Sequence, residues 1–443
     1  MTTARGKLGL VLALGASSLV AAACLSTSGL SDGEAPRDDA GTPDTAVPSP
    51  NPCGKDLQND VGNCGTCGNV CPFGANSFPK CVQGACTIGC NSLFGDCDTN
   101  QANGCETSLA SDKNNCNACG HTCGGGDCAG GQCQPVVIVP AVGGQATGIA
   151  ADGTHVFYAF NNTQGAVSGI VRVDPDGSNP LVLVQGQKLQ IYDIAIDGGY
   201  VYWMATATDF AAGAANGAVL KVPKDGGTIA ALSSAQTPSS ASSIVIDGQY
   251  AYWTNYGTND ATTGAYQGGT VARCALPAGC DAKPTVLATG LQHPYGLALD
   301  PTTLYVGVNG TGTGGGEIFR CPLTGCAPGP TPVQAATTPL AIAMDDANAY
   351  WATDTAIMKA DRASGNVVAL ATAQRQPKSL VVDNGKVYWT NYQGGTVASC
   401  AIEGCNATPS SVATNQTNPW FLAVDATSLY WTSAAGTVTR LAK

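Results

Sequence analysis

The chain has 443 residues, of which 57 are glycine; only 12% of its residues are charged, and its net charge is −11. This length predicts two or more domains, and the composition favours turns and strands over charged helices. Because the charge is negative and no basic segment stands out, nucleic acid is excluded as an expected partner.

The first predicted segment is a secretory signal peptide over residues 1–23. Arg5 and Lys7 precede sixteen uncharged residues, 8–23. That run is shorter than the roughly 20 apolar residues that span a membrane, and its charged start and apolar middle are typical of an export signal. We therefore expect an exported protein in an oxidising compartment.

The signal ends in three alanines, 21–23, directly before Cys24. Small residues before a cysteine resemble the lipobox of bacterial lipoproteins, which implies lipidation at Cys24 and membrane attachment through that lipid only. The alternative is ordinary cleavage near Ala23, which leaves a free cysteine. Residues 24–52 are rich in Ser, Thr, Pro, Asp and Gly and are predicted to be the anchor and a flexible linker. By resemblance to lipoproteins of Gram-negative bacteria, Leu25 favours the outer membrane or cell surface.

A small cysteine-rich module is predicted over residues 53–134. Fourteen of the 21 cysteines fall between Cys53 and Cys133, and the spacing from Cys53 to Cys71 recurs 52 residues later. An even number of cysteines in an exported chain predicts seven disulfides, with their pairing left open. Zinc bound through Cys-x2-Cys pairs is the alternative. The module resembles the cysteine-rich repeats of myxobacterial-type surface lipoproteins.

One stretch of this module has a pattern that calcium loops also show. Asp96, Asp98 and Asn100 place side-chain oxygens at alternating positions. The glycine expected at the sixth position is replaced by Gln101, and the acid expected at the twelfth by Thr107. We therefore predict no metal and no other cofactor, with the first three residues as the calcium candidate.

Residues 135–443 repeat one pattern seven times: a short apolar run, an aspartate, a turn and an aromatic residue or pair. The aspartates are 38 to 53 residues apart, and a period of about 40 to 50 residues made of strand-like runs is the signature of a β-propeller. The predicted fold class is all-β: a seven-bladed β-propeller preceded by the disulfide-rich module. The seven aspartates are Asp152, Asp197, Asp247, Asp300, Asp345, Asp383 and Asp425. Because every repeat has one, we expect them to cap turns.

The aromatic pairs resemble the YWTD repeats of low-density-lipoprotein-receptor-type propellers, and more loosely NHL repeats. Tyr388 and Trp389 are a typical pair. The final Asp of that motif is replaced by Asn255, Asn391 and Ser433, and the receptor-type fold has six blades, so six blades are the alternative. The resemblance therefore implies architecture and not ligands, and we expect the aromatic pairs to pack between blades.

The last repeat predicts only three strands, at 421–425, 428–433 and 436–441. The segment Val136–Val139, before the first repeat, is similar to the fourth strands of other repeats. We expect it to complete the last blade, which removes an open sheet edge. Six further cysteines fall in three close pairs that are predicted to bridge outer hairpins. They are Cys274 with Cys280, Cys321 with Cys326, and Cys400 with Cys405.

Two columns of residues precede the aspartates and are expected to ring one mouth of the central channel. The first ring, seven residues before each aspartate, is Gln145, Gln190, Ser240, His293, Thr338, Gln376 and Asn418. The second ring, two residues further on, is Thr147, Tyr192, Ser242, Tyr295, Leu340, Lys378 and Trp420. A uniform scaffold with a variable rim is typical of a recognition face; a solvated polar rim is the alternative.

We therefore predict a surface-anchored, non-catalytic binding or scaffolding protein whose partner is a cell-surface or extracellular protein or polysaccharide. A lyase or lactonase-type enzyme with its site at the same mouth is the alternative. His293 with Asp193, Tyr295 and Lys378 is the best catalytic group available, since general acid–base chemistry needs such side chains. This group has no second histidine and no glutamate.

Overall fold

The computed structural model describes residues 53–443 with short gaps. The gaps are 163–166, 188, 208–216, 237–240, 260–265, 281–282, 311–314, 327–328, 337 and 407. The predicted signal peptide, Cys24 and the linker therefore lie outside the described residues. Residues 55–443 form one structural unit. Within the described part of the chain, no helix has the length and apolar character needed to cross a membrane.

Disulfides dominate the cysteine-rich module, which has little regular structure. Its short strands pair as β1 (Ser77–Val82) with β2 (Ala85–Cys90), β3 (Phe94–Gly95) with β4 (Thr107–Ser108), and β5 (Cys128–Ala129) with β6 (Gln132–Cys133). The two copies contain matching bonds, which are Cys64–Cys81, Cys71–Cys86, Cys116–Cys128 and Cys123–Cys133. Cys90–Cys105 and Cys97–Cys119 join the copies.

All fourteen cysteines of this module are disulfide-bonded, Cys53 and Cys67 included. The zinc alternative is therefore wrong, because a disulfide sulfur is not a thiolate ligand. The three predicted pairs further along the chain are also disulfides in the structure; they are Cys274–Cys280, Cys321–Cys326 and Cys400–Cys405. They lie at the turns between the third and fourth strands of their blades, where a short covalent loop limits the freedom of the unfolded chain.

Seven four-stranded antiparallel sheets follow, so the seven-bladed prediction is confirmed and the six-bladed alternative is wrong. Strand β7 (Val136–Val139) precedes the first blade. Blade 1 has β8 (Gln145–Ala151), β9 (Val156–Asn162), β10 (Val167–Val173) and β11 (Leu181–Gln187). Blade 2 has β12 (Leu189–Ile196), β13 (Tyr200–Ala207), β14 (Gly217–Pro223) and β15 (Ala230–Gln236). Blade 3 has β16 (Ala241–Ile246), β17 (Tyr250–Asn255), β20 (Gly269–Ala275) and β21 (Thr285–Leu291), with a small extra hairpin of β18 (Thr258–Asn259) and β19 (Tyr266–Gln267).

The remaining blades have no extra strands among their described residues. Blades 4 and 5 are β22 (Pro294–Leu299), β23 (Thr303–Val308), β24 (Gly316–Pro322) and β25 (Thr331–Ala336), then β26 (Ile342–Met344), β27 (Asn348–Ala352), β28 (Ile357–Asp361) and β29 (Val367–Ala371). Blade 6 has β30 (Pro377–Asp383), β31 (Lys386–Asn391), β32 (Thr396–Ala401) and β33 (Ser410–Ala413). Blade 7 has β34 (Pro419–Val424), β35 (Ser428–Ser433) and β36 (Val438–Ala442).

The circle closes as the sequence predicted. Strand β7 pairs with β36 as the fourth strand of blade 7. The first strands of the blades are innermost, and each contacts the next, with β34 of blade 7 returning to β8 of blade 1. Ile138 and Val139 of β7 are buried between blade 7 and blade 1. The polar backbone edge of the last blade is thereby paired rather than exposed.

The aromatic pairs pack between blades, as expected. Five tryptophans are at most 1% exposed, namely Trp203, Trp253, Trp351, Trp389 and Trp431. Trp203 of blade 2, for example, lies in one cluster with Phe157 and Ile170 of blade 1. Burial of these large side chains is the main source of cohesion between neighbouring blades.

Six of the seven repeated aspartates cap the turn that follows the inner strand, as expected. The exception is Asp383, which pairs with Lys386 at the end of β30 and accepts a hydrogen bond from Lys443. Asp425 Oδ1 accepts hydrogen bonds from the main-chain amides of Thr427 and Ser428, both at 2.8 Å. Its Oδ2 accepts from the Tyr430 hydroxyl at 3.0 Å. Several of these carboxylates also join blades through ion pairs. These are Asp152 with Lys224, Asp300 with Arg362, and Asp383 with Lys443.

The cysteine-rich module packs against blade 7. Arg440 Nη1 donates to the carbonyl oxygen of Gly124 at 2.9 Å, and the His121 ring contacts the carbonyl oxygen of Lys443. Cys133 packs against a cluster that includes Leu441. The module is therefore fixed to the blade in which the circle closes.

Candidate functional site

Irregular strand pairing occurs where most of the second ring lies in the inner strands. Near the start of the inner strand, the register slips in six blades of the described chain, for example between Ile191 and Ile194 in blade 2. Such β-bulges break the alternation of a strand and re-aim the side chains within them. Tyr192 and Asp193 lie inside the bulge of blade 2. The other second-ring residues placed this way are Thr147, Tyr295, Lys378 and Trp420.

The first ring has an unusual backbone in four consecutive blades. His293, Thr338, Gln376 and Asn418 have positive φ angles of 56°, 42°, 56° and 45°. Residues other than glycine rarely adopt this backbone region. A proline follows each of these four residues. Main-chain amides hold three of these turns: Asn309 N to His293 O, Tyr392 N to Gln376 O, and Ala434 N to Asn418 O. Such backbone strain persists only where the surrounding structure enforces it.

Most of the predicted rim residues share one environment. Gln145 and Gln190 lie in β8 and β12, at the same end of their blades as the four strained turns. Ser240 falls outside the described residues. Eleven of the other candidates are half-buried, neither core nor freely exposed; they are Gln145, Gln190, Tyr192, Asp193, His293, Tyr295, Thr338, Gln376, Lys378, Asn418 and Trp420. Thr147 and Leu340 of the second ring are instead buried in the core. Such partial burial is compatible with side chains that line a mouth.

A third set of residues, which the sequence analysis missed, meets the second ring across blade junctions. Tyr256 of blade 3 stacks on Tyr295 of blade 4, with ring centroids 5.8 Å apart. Tyr392 of blade 6 meets Trp420 of blade 7 edge-on at the same distance. Both tyrosines follow directly after the aromatic motif, at Asn255-Tyr256 and Asn391-Tyr392. This shared position in the two repeats is the signal by which the sequence could have identified both tyrosines.

Blades 2, 3 and 4 bring five side chains into one group, which we call the Asp193 cluster: Tyr192, Asp193, Tyr256, His293 and Tyr295. The His293 ring lies edge-on to Tyr256, with centroids 4.5 Å apart, and 6.3 Å from Tyr295. The Tyr192 hydroxyl donates to the side chain of Gln190. Burial raises the pKa of Tyr295 to about 12, and the nearby charge of Asp193 adds to this shift.

Asp193 is the unusual group of this cluster. Its Oδ1 accepts from Ile194 N at 2.9 Å and its Oδ2 from Ile244 N at 3.1 Å. Burial raises the pKa of Asp193 to about 6, although hydrogen bonds from Ile244, Ile194 and Ser243 favour the ionised form. Burial also lowers the pKa of His293, so its imidazole is neutral at neutral pH. The cluster therefore combines aromatic faces, phenol hydroxyls and a carboxyl group that changes charge at mildly acidic pH.

Lys378 does not join this cluster. It lies in blade 6, where burial lowers its pKa and the charge of Asp354 in blade 5 opposes that shift. The sequence-based catalytic group is therefore brought together only in part: the Asp193 cluster contains His293, Asp193 and Tyr295 but not Lys378.

The calcium candidate forms a different set from the one expected. Carboxylate oxygens of Asp96, Asp98 and Glu106 lie within 4.8 Å of one another. Asn100 instead uses its side-chain oxygen to accept from Ala102 N at 3.3 Å. Burial raises the pKa of Asp96, together with a hydrogen bond that its protonated carboxyl donates to Asp98 and the charges of Asp98 and Glu106. Three mutually repelling carboxylates are chemically suited to a hard cation, but most of the site is exposed.

No protein-family model and no curated protein matches the chain. Solved structures do show a similar fold. Virginiamycin B lyase from Staphylococcus aureus is 14% identical, covers 70% of this chain and 98% of its own, and has a TM-score of 0.54. Its catalytically inactive variant with quinupristin gives the same identity, share of this chain and TM-score. A nidogen/laminin complex is 14% identical over 63% of this chain and 98% of its own, with a TM-score of 0.44. At these identities the similarity shows the propeller fold alone.

Proposed function

We propose that the propeller is a non-catalytic recognition module that binds an extracellular or cell-surface protein or polysaccharide at the channel mouth. The observation that supports this best is the second ring, in which bulges at one position of a repeated scaffold carry side chains that differ in size and polarity between most blades. Two aromatic contacts, Tyr256 with Tyr295 and Tyr392 with Trp420, lie on this rim. Tyr and Trp are the side chains most often used as anchors in binding surfaces.

Export and anchoring complete this proposal. The disulfides indicate an extracellular or otherwise oxidising location. Lipidation at Cys24 would attach the protein to the outer membrane or cell surface of a Gram-negative bacterium. The cysteine-rich module, packed on blade 7, would then act as a stiff spacer rather than as a loose tether.

The test is capture of cell-surface polymers and secreted proteins by the purified propeller protein and by a triple variant, Tyr192→Ala, Tyr295→Ala and Trp420→Ala. We expect the variant to fold and to lose its partner. A matched control changes three exposed valines of the outer strands to alanine, namely Val182, Val286 and Val368. Undiminished capture by the triple variant would exclude the mouth as the binding face.

A lyase or lactonase-type hydrolase is the second candidate, and the Asp193 cluster is the observation that favours it. A carboxyl group with a pKa of about 6 and a neutral His293 are both suited to exchange protons near neutral pH. A screen for lyase and hydrolase substrates, with His293→Ala as the control, separates the two functions. Activity that disappears in this variant would replace the binding proposal.

A further inference from the structure

Asp193 departs from the repeat in a way that the fold does not require. The equivalent residues of the other blades, three positions after the first ring, are Gly148, Ser243, Gly296, Ala341, Ser379 and Phe421. In blade 6, Ser379 Oγ accepts from Leu422 N of blade 7 at 3.1 Å. In blade 2, Asp193 Oδ2 accepts from Ile244 N of blade 3 at the same distance. A hydroxyl therefore suffices for this link between blades, and the carboxyl of Asp193 adds a charge that the link does not need.

That charge has no basic counterpart in the described chain. None of the ion pairs among the described residues includes Asp193. Its hydrogen-bond donors are two main-chain amides and the hydroxyl of Ser243. Partial burial of a carboxylate without an opposite charge already has a cost, so a cation brought to this position would gain more than it would at an exposed carboxylate.

The side chains around Asp193 suit an organic cation. Tyr295 lies close enough for the charge of Asp193 to affect its hydroxyl, and the rings of Tyr256 and His293 pack on Tyr295 and on each other. Aromatic faces attract an ammonium group through their quadrupole, most strongly where water is excluded. The negative net charge of −11 adds a long-range attraction for basic partners.

We propose that the Asp193 cluster binds the side-chain ammonium of a lysine from a protein partner, with Asp193 as its counter-ion and the tyrosines as its walls. This inference rests on the proposed recognition function and names its partner chemistry. Asp193 follows Tyr192 in the same bulge and is half-buried, so a slender group reaches it more easily than a bulky one. The long apolar stem of lysine allows this, whereas the ammonium of an amino sugar is attached directly to a bulky ring.

Lysine also fits better than arginine. Each carboxylate oxygen of Asp193 already accepts a main-chain amide, from Ile194 and from Ile244. A guanidinium prefers a carboxylate whose two oxygens are both free for a parallel pair of hydrogen bonds, while an ammonium binds as a compact point charge.

The experiment measures binding of the peptide acetyl-Gly-Lys-Gly-amide to the full chain by calorimetry and NMR. Three probes are compared with it: the same peptide with arginine, the same peptide with norleucine, and an oligomer of glucosamine. We expect the lysine peptide to bind best, and Asp193→Ser to weaken it about tenfold or more. Serine preserves the link between blades, by analogy with Ser379. The matched control is Asp346→Ser, which removes an exposed carboxylate at the other end of an inner strand.

The outcomes separate this inference from the proposed function. Equal binding of the lysine and norleucine peptides, stronger binding of the glucosamine oligomer, or unchanged affinity in Asp193→Ser overturns the lysine proposal. The recognition function is tested separately by the Tyr192, Tyr295 and Trp420 triple variant. If that variant loses the natural partner, the recognition function stands even where the lysine proposal has failed. Should Asp193→Ser fold poorly, NMR titration of the Asp193 carboxyl in the native protein replaces it: the lysine peptide must lower its pKa, and an unchanged pKa refutes the proposal.

Discussion

The Tyr256 ring, just after β17, stacks on the Tyr295 ring at the start of β22, with their centroids 5.8 Å apart. One ring belongs to blade 3 and the other to blade 4, so an aromatic surface crosses the junction between two blades. A ligand on this surface would touch both blades at once.

Tyr256→Ala is therefore expected to weaken partner binding by several-fold to about tenfold, since aromatic anchors commonly contribute 1–2 kcal/mol or more. Tyr256→Phe keeps the ring and should retain most of the affinity. Surface plasmon resonance with the captured partner measures both. Equal affinity of the alanine variant and the native protein would show that this junction is not part of the binding surface.

Closure through β7 predicts a cost for the whole propeller. Ile138 is 8% exposed and packs between blade 7 and blade 1, so Ile138→Ala should lower the free energy of unfolding by about 2 kcal/mol or more. Deletion of residues 135–140 should lower the melting temperature much further, because it also removes the pairing with β36. Val137→Ala, at an exposed position of the same strand, is the control. A truncated protein that melts like the native one would refute the closure.

Asp193 predicts a pH dependence of stability with a definite sign. Its pKa is about 6 in the folded protein against 3.8 as the ordinary value, so the folded state binds more protons between these values. Stability from this group therefore falls as the pH rises from about 4 to 6, by at most about 3 kcal/mol, and the penalty persists above pH 6. Asp193→Ser should lack this dependence.

Denaturant unfolding at a series of pH values gives the check, with the difference between native protein and Asp193→Ser as the quantity of interest. That difference is needed because His293 acts in the opposite direction. Its lowered pKa makes stability rise with pH through the histidine range. If the free energies of unfolding of the two proteins change with pH in parallel between pH 4 and about 6, the Asp193 carboxyl is not desolvated in the folded protein.

Arg440 is one of the residues that attach the cysteine-rich module to blade 7, since its Nη1 donates to Gly124 O. Arg440→Met keeps the apolar stem but removes this bond, so amide hydrogen exchange in residues 116–133 should become roughly tenfold faster. Arg320→Met is the control, because Arg320 lies opposite Tyr305 as Arg440 lies opposite Tyr430. Unchanged exchange in Arg440→Met would mean that other contacts fix the module.

Much of this architecture follows from the sequence because it is periodic. The repeat spacing predicts the number of blades, and the missing fourth strand of the last repeat predicts the role of β7. The capping role of Asp425 and its equivalents in blades 1 to 5 follows from their place before a turn. These features depend on interactions within one repeat or between identical positions, which a single sequence displays directly.

The candidate site depends on relations between different repeats, which the sequence does not display. The approach of Tyr256 to Tyr295 requires the stacking angle of two blades. The bulge at Tyr192 and Asp193 depends on register and not on composition. The link of Cys90 to Cys105 across the two copies of the cysteine motif could likewise not be chosen among the possible pairings.

The position of β7 also determines how the protein would respond to mechanical load. This strand begins three residues after Cys133 and is the outermost strand of blade 7. A pulling force applied from the N-terminal side reaches the crosslinked module first, because Cys133 is bonded to Cys123 and packed against blade 7. The module and its contact with Arg440 would bear the tension. The pairing of β7 with β36, which closes the propeller, would be protected from it.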